Sequence, residues 1–117
     1  YHLGDVCITK KSLKILSRLN GRKTLIAGNH DIFNTKEYMP YFDNMRAGRV
    51  FDSLLLTHVP VHPNQLRVNG GRFSYNIHGH THRNFVEGSW GSYINVCVEH
   101  WEYTPIPMEI IRSLCRG

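Results

Sequence analysis

The sequence lacks any apolar run near the roughly 20 residues that a membrane-spanning helix requires. It also lacks a signal peptide pattern, internal repeats, low-complexity tracts and blocks of like charge. Cysteine is scarce, and Cys7, Cys97 and Cys115 are odd in number and form no C-x-x-C pair. A disulfide framework or a thiolate zinc site is therefore not expected. Together these absences argue against membrane-spanning and disulfide-rich classes, and a cytoplasmic protein with no membrane partner is expected.

The composition is that of an ordinary globular protein, with 41% hydrophobic and 20% charged residues, and it predicts a single domain over residues 1–117. A formal net charge of +5 would attract phosphate-bearing ligands over a long range. Histidine is the unusual feature, because five of the eight histidines lie between positions 58 and 82. Imidazole is the commonest protein ligand for transition metals, so this region is a candidate metal site.

Hydrophobic patterning predicts a layered α/β fold, since strand-like and helix-like segments alternate and strands then dominate the second half. In the first predicted helix the buried stripe would include Leu13 and Leu16, with Ile15 and Leu19 as further candidates. Pro40 weakens the second predicted helix. Helices are expected from Thr9 through Asn20, over Thr35–Met45 and over Pro107–Cys115. Strands are expected at Tyr1–Leu3, Lys23–Gly28, Val50–His58 (one or two strands) and Phe73–Gly79. An antiparallel hairpin is expected over residues 85–101.

Four short segments share one design, in which an apolar strand ends, a glycine or small residue permits a turn, and metal-competent side chains follow. In open α/β sheets ligands bind beyond the carboxyl ends of the strands, so these four loops can converge on one point. Glycine permits a close approach of the backbone, and the residues after it present oxygen and nitrogen to a cation. The side chains concerned are Asp5, Asn29–Asp31, His58, His80 and His82.

The motifs "GD", "GNHD", a lone histidine and "GHTH", in this order, resemble those of the calcineurin-like metallophosphoesterase superfamily. The resemblance covers Gly4–His82 and includes four of the family's five motifs. The start "YHLGDV" and the tail "YINVCVEHWEYTPIPME" are similar to the small bacterial and phage members. The resemblance implies a calcineurin-like β-sandwich flanked by helices and a phosphoesterase that hydrolyses a phosphate mono- or diester by attack of metal-bound hydroxide at a dinuclear site.

The resemblance also implies a role for each matching residue. Asp5 would bridge two metal ions; Asn29, His58 and His80 would complete the shell of the second ion, and His82 would bind the first. His30 would protonate or stabilise the leaving oxygen, and Asp31 would fix the tautomer of His30. Manganese is the expected ion, with iron, zinc, nickel and magnesium as alternatives, and the substrate would be a phosphate ester such as a nucleotide or nucleic acid. Arg83, next to His82, is the arginine best placed to hold substrate phosphate, although arginines are more often simply solvated.

The chain departs from the family pattern at its N-terminus, where the Asp-x-His motif that supplies two ligands of the first metal is missing. The expected domain is therefore incomplete there and would bind one or two ions. A gap in the sheet would follow, which a missing N-terminal segment or a second chain could fill. The alternative function is a non-catalytic metal- or phosphate-binding remnant. A third hypothesis, a nucleic-acid-binding module, rests on net charge alone.

Overall fold

The computed structural model describes residues 1–5, 10–29, 31, 33–81, 92–97, 100–102 and 104–116. These residues form two small sheets and a few helices, so the expected α/β class is confirmed in general terms. None of the helices in this described part is long and apolar enough to cross a membrane.

The first sheet pairs β1 (Thr24–Ile26) in parallel with β2 (Asn44–Arg46). Leu25 and Ile26 are consecutive residues of the predicted strand and both are fully buried, so β1 is covered on both faces. His2 adds an isolated parallel bridge to Leu25, because its N–H donates to Thr24 O at 2.9 Å and its carbonyl accepts from Ile26 N at 2.8 Å. The N-terminal segment is thereby attached beside β1.

A 3-10 helix, Lys10–Arg18, occupies most of the first predicted helix, whose first residue, Thr9, lies outside the described residues. Leu13 and Leu16 are buried, but Ile15 and Leu19 are 62% and 52% exposed, so including them in the buried stripe was wrong. A 3-10 helix has three residues per turn, and only side chains three positions apart therefore share a face.

The predicted helix over Thr35–Met45 is much shorter in the structure, where α1 spans only Thr35–Tyr38. Pro40 has no backbone N–H and cannot extend the helix, and the chain then enters β2. Tyr38 remains fully buried, together with Leu13, Leu16, Leu25 and Phe42, in the core beside the first sheet.

The second sheet has the strand order β3 (Arg49–Phe51), β4 (Leu54–Thr57), β5 (Tyr75–His78) and β6 (Tyr93–Asn95). Val50–His58 thus forms two antiparallel strands, joined at Asp52 and Ser53, whose φ values of 49° and 66° are typical of a tight hairpin turn. β4, β5 and β6 run parallel to one another. The first arm of the hairpin predicted over 85–101 lies outside the described residues, and its second arm contributes β6, paired in parallel with β5.

The predicted terminal helix is confirmed as α2 (Met108–Arg116), which begins directly after Pro107. Ile111 in α2 packs into the core of the second sheet with Leu54, Leu56, Ile77 and Ile94. Tyr75 in β5 also donates its hydroxyl to Cys115 O at 2.7 Å, which ties the end of α2 to the sheet.

Candidate metal centre

The carboxyl ends of three strands carry the predicted ligands. β1 leads into Gly28 and Asn29, β4 into His58, and β5 into Gly79 and His80. Because β4 and β5 are parallel neighbours, the loops after them emerge at one edge of the second sheet. Gly79 N donates to His58 O at 2.9 Å, which holds these two loops together.

Four potential donor atoms converge beyond these strands. His58 Nε2 lies 2.9 Å from Asn29 Oδ1, 3.1 Å from His80 Nδ1 and 3.2 Å from Asp5 Oδ2. His80 Nδ1 also lies 3.1 Å from Asn29 Oδ1. Within the described part of the chain, Asp5, His58 and His80 form a group whose ligand atoms all lie within 4.8 Å of one another.

The spacing of these atoms fits the ligand shell of a six-coordinate divalent transition-metal ion. An octahedral shell with bonds of about 2.1 Å has edges of about 3.0 Å between neighbouring ligands, whereas a tetrahedral shell with the same bonds has edges of about 3.4 Å. Asn29, His58 and His80 define a triangle with sides of 2.9, 3.1 and 3.1 Å. Mixed carboxylate, amide and imidazole donors also match the ligand chemistry of such cations.

A backbone hydrogen bond determines which nitrogen of His58 is available. His58 Nδ1 lies 2.6 Å from the carbonyl oxygen of Leu3. A carbonyl can only accept, so Nδ1 carries the proton, and in the neutral ring Nε2 carries the lone pair. This lone pair then faces the oxygens of Asn29 and Asp5 and the nitrogen of His80. A cation at the point where they meet would be bound through this lone pair, since imidazoles held by a hydrogen bond at the other ring nitrogen are typical metal ligands.

The site is buried on one side and open on the other. His58 is 5% exposed, whereas the side chain of Asp5 is 25% exposed and Asn29 and His80 are exposed. Behind the site His78 is 1% exposed, its Nδ1 donates to Gly79 O at 2.9 Å, and its ring meets that of Tyr93 edge-on. Burial lowers the pKa of His78 from its ordinary value, so this histidine is kept neutral.

Two glycines allow the loops to meet. A Cβ on Gly28 would lie 2.5 Å from Asp5 Oδ1 and 2.6 Å from Asp5 N, and one on Gly4 would lie 2.6 Å from Gly28 N. None of these three distances is possible for a real Cβ, so the approach of the Asp5 loop to the Asn29 loop requires glycine at both positions.

Two of the four donor residues have a strained backbone. Asp5 and His80 have φ values of 55° and 65°, in the left-handed region that non-glycine residues rarely adopt. Such conformations cost about 1 kcal/mol or more and persist where surrounding contacts enforce them, often at functional sites. Their occurrence at two candidate ligands is consistent with a site built for binding rather than for stability.

Asp31 has contacts that the sequence did not predict. Its Oδ2 accepts hydrogen bonds from Asp5 N and from Gly28 N, both at 2.7 Å. The expected partner of Asp31, His30, lies outside the described residues, as do the expected ligand His82 and the expected phosphate contact Arg83. The structure thus brings together Asp5, Asn29, His58 and His80, and metal binding by these residues stays a prediction.

Leu3 and Asn95 also support the site, and neither was predicted from the sequence. Leu3 contributes only its carbonyl oxygen, for which side-chain patterns carry no signal. Asn95, at the end of β6, donates from Nδ2 to Thr81 Oγ1 at 3.0 Å and contacts His100 Nε2 at 3.3 Å. It therefore anchors the loop that carries His80. The sequence did offer a signal for Asn95, because a polar residue at the end of a predicted strand, shortly before His100, is typical of the strand-end positions that carry the other site residues.

These features define a small mixed α/β protein with a cluster of potential metal ligands beyond the carboxyl ends of its strands. The structure is similar to the crystal structure of the protein of unknown function AQ665 from Aquifex aeolicus, with a TM-score of 0.70 and 30% sequence identity. The match covers 97% of this chain and 74% of that chain. The chain belongs to the same family as AQ665. No protein-family model matches the sequence, and no curated protein matches it.

Proposed function

We propose that the chain is a metal-dependent phosphoesterase with a calcineurin-like fold, which hydrolyses a phosphate mono- or diester. The observation that carries the proposal is the convergence of Asp5, Asn29, His58 and His80 on one point, with donor separations near those of an octahedral shell. The motif order that resembles the metallophosphoesterase superfamily supports the same conclusion.

A divalent metal held by these four residues would supply Lewis-acid chemistry, acidifying water and stabilising charge on phosphoryl oxygens. The chain's own residues prepare that site. Asp5 supplies a negative charge that favours a cation, and Leu3 orients His58 through its ring N–H. The exposed side of the site, at Asn29 and His80, leaves access for a substrate phosphate.

The remaining roles are part of the proposal. The family resemblance implies that His82 would bind a first metal ion and that His30 would assist the leaving oxygen. Arg83 would contact substrate phosphate, because it adjoins His82 in the sequence. Manganese is the proposed ion, with iron, zinc, nickel or magnesium as alternatives, because nitrogen and oxygen donors accept all of them. The positive net charge favours polyanionic substrates such as nucleotides or nucleic acid.

The test is hydrolysis of bis(p-nitrophenyl) phosphate and p-nitrophenyl phosphate by the full chain with added Mn²⁺. We expect turnover that a chelator abolishes and that His80→Ala and Asn29→Ala reduce by at least about 100-fold, since each change removes a donor. His62→Ala is the matched control, because His62 is also an exposed loop histidine but lies outside the cluster. Inactivity with every divalent ion tested, or equal activity in His80→Ala, would contradict the proposal.

A second candidate is a metal- or phosphate-binding protein without turnover. It is favoured by the number of donors, because the described residues supply a group for one ion, whereas two-metal catalysis requires a second set. This candidate predicts about one bound metal per chain and no hydrolysis. Elemental analysis of the purified chain, combined with the phosphatase assay, separates the two functions.

A further inference from the structure

We infer that the carboxylate of Asp31 is a clamp that positions two candidate metal ligands, Asp5 and Asn29, rather than only a partner of the neighbouring histidine. The inference rests on the proposed metal site. It starts from a single oxygen, Asp31 Oδ2, which accepts the N–H of Asp5 and the N–H of Gly28, each at 2.7 Å.

These two N–H groups belong to different loops. The Asp5 N–H lies in the loop that follows the N-terminal segment and the Gly28 N–H in the loop that follows β1, 26 and 3 positions from Asp31 respectively. Hydrogen bonds from backbone N–H to an ionised carboxylate are short and about twice as strong as neutral ones. Asp31 therefore fixes the separation of the two loops at the point where Asp5 and Asn29 leave the backbone.

The contact between the loops requires such a clamp. Gly4 and Gly28 approach so closely that neither has room for a Cβ, and Asp5 holds a left-handed φ of 55°. The two N–H groups also point at the same oxygen, so removal of the carboxylate would take this shared acceptor from both. The Asp31 carboxylate satisfies both and keeps Asp5 Oδ2 within 3.2 Å of His58 Nε2.

The test compares the affinity for Mn²⁺ and the visible absorption spectrum of the Co²⁺ form in the wild type, Asp31→Ala and Asp43→Ala, by calorimetric and spectroscopic titration. Substitution of a residue that orients metal ligands typically lowers metal affinity by about 10- to 100-fold. Asp31→Ala should therefore weaken Mn²⁺ binding by that factor and change the Co²⁺ spectrum. Asp43 is the matched control, because its Oδ2 also accepts a backbone N–H at 2.7 Å, that of Lys23, and Asp43 is not a member of the donor cluster. Asp43→Ala should bind both ions as the wild type does.

An unaltered Mn²⁺ affinity and an unaltered Co²⁺ spectrum in a folded Asp31→Ala variant would overturn the clamp. If turnover fell while both stayed unaltered, Asp31 would instead be assigned to the orientation of His30. If Asp31→Ala does not fold, Asp31→Asn replaces it. The neutral amide oxygen is the weaker acceptor, so we expect Mn²⁺ affinity to fall by about 10-fold, and wild-type affinity would overturn the inference. A wild type that binds neither ion would contradict the proposed function itself, so the two failures are distinguishable.

Discussion

The imidazole of His58 and the backbone carbonyl of Leu3 are joined by a hydrogen bond of 2.6 Å at Nδ1. This bond links the N-terminal segment to the loop after β4, and it turns Nε2 toward Asp5, Asn29 and His80. A main-chain atom thus selects the nitrogen that the candidate metal centre uses.

The tautomer of His58 is the first prediction. In the metal-free protein above neutral pH, the ¹⁵N resonances of its ring should show a protonated Nδ1 and an unprotonated Nε2, because Leu3 O can only accept. Addition of Zn²⁺ should shift the Nε2 resonance strongly and leave Nδ1 protonated. A proton on Nε2 in the Zn²⁺-loaded protein would show that His58 is not a ligand through this atom.

The second prediction concerns the close contact at Gly28. In Gly28→Ala the new Cβ would overlap Asp5 Oδ1 and Asp5 N, so the Asp5 loop must move, with a loss of about 1–3 kcal/mol in the free energy of unfolding and a large loss of metal affinity. Gly79→Ala is the control, because there the nearest atoms to a Cβ lie at ordinary contact distances of 3.6–3.8 Å. Urea unfolding and Mn²⁺ titration measure both effects, and equal behaviour of the two variants would count against the contact.

The third prediction uses the backbone strain at His80. Its φ of 65° favours glycine, so metal-free His80→Gly should be more stable to unfolding than His80→Ala by about 1 kcal/mol, although glycine normally destabilises. Both variants should lose affinity for Mn²⁺ because both lack the imidazole. Urea denaturation in the presence of a chelator gives the comparison, and a more stable alanine variant would show that the left-handed conformation is not maintained.

The fourth prediction is a pH dependence of stability that arises from His2. Burial lowers the pKa of His2 from its ordinary value, and its Nδ1 accepts the Gly4 N–H at 3.2 Å, which requires an unprotonated nitrogen. The unfolded chain takes up a proton near pH 6.5 and the folded protein only at lower pH, so this stabilising contribution is complete above about pH 6.5 and is lost as the pH falls toward the lowered pKa.

The measurement is the free energy of unfolding of the wild type and of His2→Asn, one unit above and one unit below about pH 6.5, with a chelator present. Asparagine can accept the same hydrogen bond but does not titrate in this range. The wild type should therefore lose more stability on acidification than His2→Asn does. Parallel pH profiles of the two proteins would remove His2 as the cause.

Local patterns predicted the elements whose residues depend on near neighbours. Leu25 and Ile26 form a buried strand, Pro107 precedes a terminal helix, and glycine follows β1 where a turn begins, all as short-range preferences indicate. The predicted burial of Ile15 was wrong because it assumed an α-helical period of 3.6 residues, whereas the chain forms a 3-10 helix there. The pattern also failed beyond Pro40, where pairing with β1 turns Asn44–Arg46 into a strand.

The sequence by itself determined which side chains could bind a cation and that each follows a strand end, because residue type and glycine placement are local properties. Only the tertiary structure decided that Asp5, Asn29, His58 and His80 meet at one point, that the Leu3 carbonyl selects the His58 nitrogen, and that Asp31 binds two loops at once. These contacts join residues as many as 55 positions apart. Their geometry depends on strand pairing and loop packing, which no local pattern of residues specifies.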